Sequence, residues 1–208
     1  MSIKITWHGH ACFTLEKDGF TVAIDPYNHA MVRYPVLKLT ANEVYASHNH
    51  DDHNYFEAVE LVTAKSGKSP FTVRKVENYH DHEEGAKRGK NIIHIFESDG
   101  ISIAHMGDTG NLLNESQLEE FGSCDVILLP VGGFYTVDAA EAMQIAKKVS
   151  AKLIIPMHYR TEKYGLEKVD SVDGFLELAD RPVEIYNTDT FILEGEVPRL
   201  VAVLEFSE

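Results

Sequence analysis

The sequence predicts a single α+β domain, and three observations carry that reading. Its 208 residues are enough for one sizeable core without calling for a second. Segments with strand patterning dominate and fall into two runs, each followed by helical segments. No linker and no internal repeat divides residues 1–208, so the whole chain reads as one unit.

Ile3–Trp7 and Cys12–Lys17 alternate as strands do, and Lys17-Asp18-Gly19 makes the hairpin turn to a third strand, Phe20–Asp25. Tyr27–Thr40 has no clear period and, with Tyr27, Tyr34 and Pro35, reads as an irregular rim segment. Val44-Tyr45-Ala46 is a short buried strand. Asn54 is placed to cap a helix running through Phe56, Val59, Glu60 and Val62. Lys65–Pro70 is a surface loop; its Gly67-Lys68-Ser69 lacks the preceding glycine and the strand-to-helix setting of a phosphate loop. Phe71–Tyr79 returns to strand pattern, and Asn91–Ser98 and Ile101–Met106 form a hairpin about Asp99-Gly100. Leu112–Phe121 is helical, Asp125–Pro130 is a buried strand, and Gly132–Thr136 is a flexible loop. Asp138–Val149 is an amphipathic helix with Ala, Met and Ile on one face and Glu141, Lys147 and Lys148 on the other. Leu153–Ile155 is another buried strand and Ser171–Ala179 the last helix. Val183–Ile185, Thr190–Leu193 and Leu200–Phe206 close the sheet.

A formal charge of −14 disfavours non-specific binding to nucleic acid or to an anionic membrane, and two bound dications would still leave the chain acidic. Cys12 and Cys124 are far apart in sequence and suggest a reducing compartment rather than a disulfide framework. Met1–Trp7 lacks the apolar core of a signal peptide, and no apolar run reaches the roughly 20 residues of a membrane span. The expected location is therefore the cytoplasm. Asn114-Glu115-Ser116 matches a glycosylation sequon that has no meaning without secretion.

The densest chemistry follows the Val44–Ala46 strand. His48-x-His50-x-Asp52-His53 packs three imidazoles and a carboxylate into six residues, a nitrogen and oxygen set suited to borderline divalent metals such as zinc. On such a loop His48 and His50 can face one way while Asp52 and His53 face the other, so one hexapeptide can serve two ions.

This stretch resembles the signature of the metallo-β-lactamase superfamily. Trp7-His8-Gly9-His10-Ala11, Ile24-Asp25-Pro26, Arg88-Gly89-x-Asn91, Gly107-Asp108 and Pro156-Met157-His158-Tyr159 narrow the resemblance. They look like the small bacterial and archaeal metal-dependent hydrolases related to ascorbate-6-phosphate lactonase and N-acylphosphatidylethanolamine phospholipase D. The resemblance covers essentially the whole chain and implies a four-layer αββα sandwich. It implies that His48, His50 and His80 hold one divalent ion. Asp52, His53 and His158 hold a second, with Asp108 bridging the pair. His82 is the alternative to His80. Asp25 is expected beneath the histidine loop, holding a ligand's second ring nitrogen. His10 reads either as a residue behind the ligands or against substrate, or as a structural hydrogen bond. Arg88 reads as an anion contact or a loop anchor. His8, Cys12, His94 and His105 read as structural, and Tyr159 and Arg160 as possible substrate contacts.

The implied activity is hydrolysis of an ester, lactone or phosphodiester of a small molecule, phosphorylated or lactone-like, by a metal-bridging hydroxide. Asp52 would orient the nucleophile and shuttle a proton. Zinc is the first expectation for both ions, with Mn2+ and Fe2+ as alternatives. A di-iron redox centre fits less well, because the related flavodiiron motif places glutamate where this chain has His50. A non-catalytic, metal-binding interaction module is the alternative reading, though all seven expected ligands are in place. Neither membrane insertion nor a nucleic-acid partner is expected, and oligomeric state leaves no readable mark.

Overall fold

The computed structural model describes residues 2–64 and 67–207. Met1, Glu208 and the Lys65-Ser66 start of the expected surface loop lie outside the described residues. In chain order the strands are β1 (Ser2–Trp7), β2 (Phe13–Lys17), β3 (Phe20–Ile24), β4 (Leu39–Ala41), β5 (Glu43–Tyr45), β6 (Val59–Leu61) and β7 (Thr72–Tyr79). They continue with β8 (Lys90–Ser98), β9 (Ile101–His105), β10 (Val126–Pro130), β11 (Leu153–Met157), β12 (Val183–Ile185), β13 (Thr190–Glu194) and β14 (Leu200–Val203). The helices are α1 (His29–Val32), α2 (Glu115–Phe121), α3 (Ala139–Lys148) and α4 (Asp173–Glu177).

Two sheets make the sandwich, one ordered β13-β1-β2-β3-β5 and the other β12-β14-β11-β10-β9-β8-β7. One continuous core joins them, with Ile5, Trp7, Leu15 and Ile24 from the first and Ile93, Ile103, Leu128 and Ile155 from the second. Its driving force is removal of these apolar side chains from water, roughly 1.5–3 kcal/mol for each large one fully buried. β10 and β11 lie parallel at the centre of the second sheet and are buried at all five positions, which is why they read as unbroken apolar runs. β1 has only its inner residues and its last turn towards the rim buried, and keeps the alternation of a one-sided strand.

The outer layers follow from capping and amphipathicity. α3 opens on an Asp138/Glu141 capping box, buries Ala142, Met143, Ile145 and Ala146, and ends on Lys147 and Lys148, where the helix dipole favours cations. α2 opens on an Asn114/Gln117 capping box, so the apparent sequon is a helix start.

Three elements differ from expectation. No helix follows Asn54: Phe56–Ala58 is a single 3-10 turn and Val59–Leu61 is strand β6, paired in parallel with β4. The Asn54 side chain donates to Asn49 instead of capping, and Ala41 and Val59 are needed over Ala23 on the outside of the first sheet. The last helix shrinks to Asp173–Glu177, because Ser171 hydrogen-bonds the Asp173 side chain and no side chain caps the helix. Within the irregular Tyr27–Thr40 stretch, Asn28 caps the short α1. No helix among the described residues is long and apolar enough to cross a membrane.

Candidate metal centre

β1, β3, β5, β7, β9 and β11 all deliver chemistry just past their C-terminal ends. β1 leads to His10, β3 to Asp25, β5 to the His48–His53 loop, β7 to His80, β9 to Asp108 and β11 to His158. The pairings β1-β2-β3 and β7-β8-β9 are antiparallel, β3-β5 and β9-β10-β11 parallel, so within each sheet these ends lie on one rim. Six segments distant in sequence therefore converge.

Asp25 is the floor of the site. It is fully buried and left-handed in backbone (φ 50°), a cost a non-glycine residue bears only where its surroundings impose it. Oδ1 accepts the Ser47 amide at 2.6 Å, and Oδ2 accepts the Ser47 hydroxyl at 2.6 Å and His53 Nδ1–H at 2.8 Å. The Ser47 hydroxyl has spent its hydrogen on Asp25, so its oxygen accepts from His48 Nδ1–H at 2.9 Å. One carboxylate thus fixes two ring tautomers and turns the Nε2 lone pairs of His48 and His53 towards the centre. Burial alone would raise the Asp25 pKa, but His105 and His53 hold it well below the usual carboxylate range.

Asp108 sits where two groups of imidazoles meet. His53 Nε2 is 3.2 Å from its Oδ1, and His80 and His158 Nε2 are each 3.3 Å from its Oδ2. Burial opposes charge on Asp108, yet His158 and His53 hold its pKa far below the ordinary value. Burial lowers the His53 pKa, but Asp108 and Asp25 raise it further, so a cation binding at Nε2 would displace a proton there. Chain geometry serves the same residue. A Cβ on Gly107 (φ 54°) would run into the Ser47 side chain and Asn91 Oδ1, so only glycine lets β9 end against the histidine loop. Asn91 accepts the Asp108 amide at 2.9 Å and donates to Met106 O at 2.9 Å. His105 donates from Nε2 to Ala11 O and accepts the Gly107 amide at Nδ1, which makes it a strut between β9 and the loop after β1.

The donors form sets. His48, His50 and His80 place ligand atoms within 4.8 Å of one another, as do His48, Asp52 and His53, and also His10, His53 and His158. His80 is buried in the cluster, whereas His82 points outward, 3.7 Å from Glu141. Burial lowers the pKa of His48 to about 3, leaving a neutral ring. Asp52 is held below the usual carboxylate range; burial works the other way, and His10 and His53 outweigh it. Arg88 reaches Phe134 O at 3.3 Å and lies over the Tyr135 ring, and it lines a cavity of about 340 Å³ with His48, His50 and Lys90. His8 bonds Thr14, Cys12 is core, and Tyr159 stacks on Trp7, so these are structural.

The positioning roles of Ser47 and Asn91 were not assigned from sequence. Asn91 carried a usable signal, a buried amide at a strand start facing the Gly107-Asp108 turn. Ser47 carried none, because a serine before a histidine loop is ordinary.

The donor set fits a divalent metal on this structure's own terms. His48 Nε2, His53 Nε2, His158 Nε2 and Asp108 Oδ1 are buried without a hydrogen-bond partner among the described residues. Such buried, unpartnered atoms are costly unless a cation completes them. Neutral nitrogens with carboxylate oxygens suit zinc.

A family described as "Beta-lactamase superfamily domain" matches residues 4–158. A UPF0173 metal-dependent hydrolase of Archaeoglobus fulgidus is 31% identical over 199 residues, covering 76% of this chain and 84% of that protein. One from Carboxydothermus hydrogenoformans is 26% identical over 193 residues, covering 76% and 85%. A Thermotoga maritima crystal structure, described as a Zn-dependent hydrolase of the metallo-beta-lactamase superfamily, superposes with a TM-score of 0.73 at 35% identity. That likeness covers 98% of this chain and 100% of the other.

Proposed function

This chain belongs to the β-lactamase superfamily and is a metal-dependent hydrolase, and on that premise we propose that it is binuclear. The bond cleaved is an ester, lactone or phosphodiester of a small molecule, and zinc is the metal its donors favour. The observation that carries this reading is the Asp108 carboxylate, whose Oδ1 lies 3.2 Å from His53 Nε2 and whose Oδ2 lies 3.3 Å from both His80 and His158 Nε2. His48, His50 and His80 would hold one ion and Asp52, His53 and His158 the other, with Asp108 shared. Two such dications acidify a water at neutral pH and polarise the scissile group.

The chain's own residues do the rest. Asp25, through His53 and Ser47, keeps the Nε2 lone pairs aimed inward. Asp52 is partly open to solvent, 3.5 Å from His10 and 3.7 Å from His53, and shares a cluster with His48, which supports a role in taking the water's proton and passing it to the leaving oxygen. Arg88, beside His48 and His50, supports a substrate carrying an anionic group. Both cysteines are free and buried, which supports a reducing compartment, the cytoplasm.

The test is metal content of the purified protein together with hydrolysis of a bis-aryl phosphodiester and a set of sugar-acid and acyl lactones, with wild type and Asp108→Ala. About two ions per chain, and turnover of one substrate class that Asp108→Ala abolishes, is the expected result. No bound metal after reconstitution, or turnover indifferent to Asp108→Ala, overturns the reading.

A further inference from the structure

His10 is the group in this centre that the hydrolase reading leaves unused. It lies in the loop after β1, 38 residues before the histidine motif begins, and is fully packed against it. Its ring centroid is 4.2 Å from that of His158 and 5.0 Å from that of His53. A ligand atom of His10 lies within 4.8 Å of those of His53 and His158, and all three residues are buried. By contrast, His50 in the other group is exposed and His48 half-buried.

Three features argue that this placement is built. The His10 backbone is left-handed (φ 51°), as is that of His158 (φ 52°), a conformation side chains other than glycine seldom take. The two residues are tied together directly, His158 N–H donating to His10 O at 3.0 Å, while Trp7 Nε1 donates to the same oxygen at 3.1 Å. Finally, His10 Nε2 is buried with no hydrogen-bond partner among the described residues, and Asp52 Oδ2 lies 3.5 Å away. A histidine serving only as a structural hydrogen bond would have spent that nitrogen on a partner. His8, two residues earlier, does so by bonding Thr14 at 2.9 Å.

We propose that His10 is a ligand of the second metal position, which is then built from three imidazoles, His10, His53 and His158, with Asp108 shared. The inference rests on the binuclear reading above and adds to it. It also clarifies Asp52. With a third imidazole in the set, Asp52 is not needed to hold the ion, and its carboxylate is free to carry the proton.

Cobalt(II) titration of the full chain tests this without reference to turnover. Two variants are compared with wild type: His10→Asn, since Asn tolerates a left-handed backbone, and His10→Cys, which can ligate through sulfur. In wild type two equivalents of cobalt bind. In His10→Asn one equivalent is retained and the other weakens by at least about 100-fold, the upper end for residues that merely support ligands. In His10→Cys both are retained and a thiolate-to-cobalt charge-transfer band appears. The wild-type spectrum is its control, because Cys12 and Cys124 are present there too.

His10→Asn binding both equivalents as tightly as wild type overturns the proposal, and so does a folded His10→Cys without the band. Should His10→Asn not fold, the His10→Cys spectrum decides. Wild type that binds no cobalt defeats the binuclear reading itself, a result distinct from two sites indifferent to residue 10.

Discussion

His53 Nδ1 lies 2.8 Å from Asp25 Oδ2, and neither side chain has any solvent exposure. The same oxygen receives the Ser47 hydroxyl, which in turn holds His48. One buried carboxylate therefore orients a donor from each group of imidazoles, and the two sides of the centre stand or fall together. Asp25→Ala should weaken metal binding by about 10–100-fold, the range for groups that hold a ligand's second nitrogen. Chelator competition measures this; equal affinity in the variant would refute the orienting role.

Removing metal should also cost stability. Burial leaves His48, His53, His158 and Asp108 with unpartnered atoms facing one another, so an ion that binds only the folded chain adds to its stability. Thermal melts with and without a strong chelator should differ by about 5 °C or more for a chain of this size. Coincident melts would mean that the cluster is self-sufficient.

Gly107 is a second pressure point, away from the ligands themselves. Gly107→Ala adds a methyl where Ser47 and Asn91 already stand, at φ 54°. A loss of about 2–4 kcal/mol in urea unfolding is expected from overpacking and backbone strain together. Metal content should fall with it, because Asp108 is the next residue.

Asp52→Asn separates holding metal from moving a proton. The variant should keep two ions at saturating metal while turnover falls by about 10²–10⁴-fold. Metal analysis alongside steady-state kinetics distinguishes the two effects. Loss of one ion in proportion to activity would make Asp52 a ligand in the main.

His94 offers a pH test outside the centre. Burial against Tyr45 and the sheet lowers its pKa to about 4, below the ordinary value of 6.5. The unfolded chain then binds more protons than the folded one between those values. His94 thus contributes fully above about 6.5 and loses that contribution as pH falls towards 4, up to about 3 kcal/mol. His94→Leu should show a shallower loss of stability than wild type between pH 7 and 4.5 in urea titrations. Parallel slopes would mean that His94 has the same pKa in the folded and unfolded chain.

Strand alternation, turn dipeptides and ligand density are local signals, so the sequence by itself determined most of the strands and the His48–His53 loop. The sandwich and the rim residues His80, Asp108 and His158 followed from the resemblance. Asp138 and Asn114 likewise stand before helices that they do cap. The Asn54 helix failed for a local reason overruled at long range: Ala23 needed a cover, and β4 and β6 supplied it. The choice of His80 over His82 followed the resemblance rather than any pattern in the neighbouring residues. Only the tertiary structure showed which of the two is buried against Asp108. It also carried His10 across to His53 and His158, and closed the Asp25–Ser47–His48 relay. Those relations depend on six strand ends arriving at one rim, and proximity between segments so far apart in the chain exists only once the two sheets have packed.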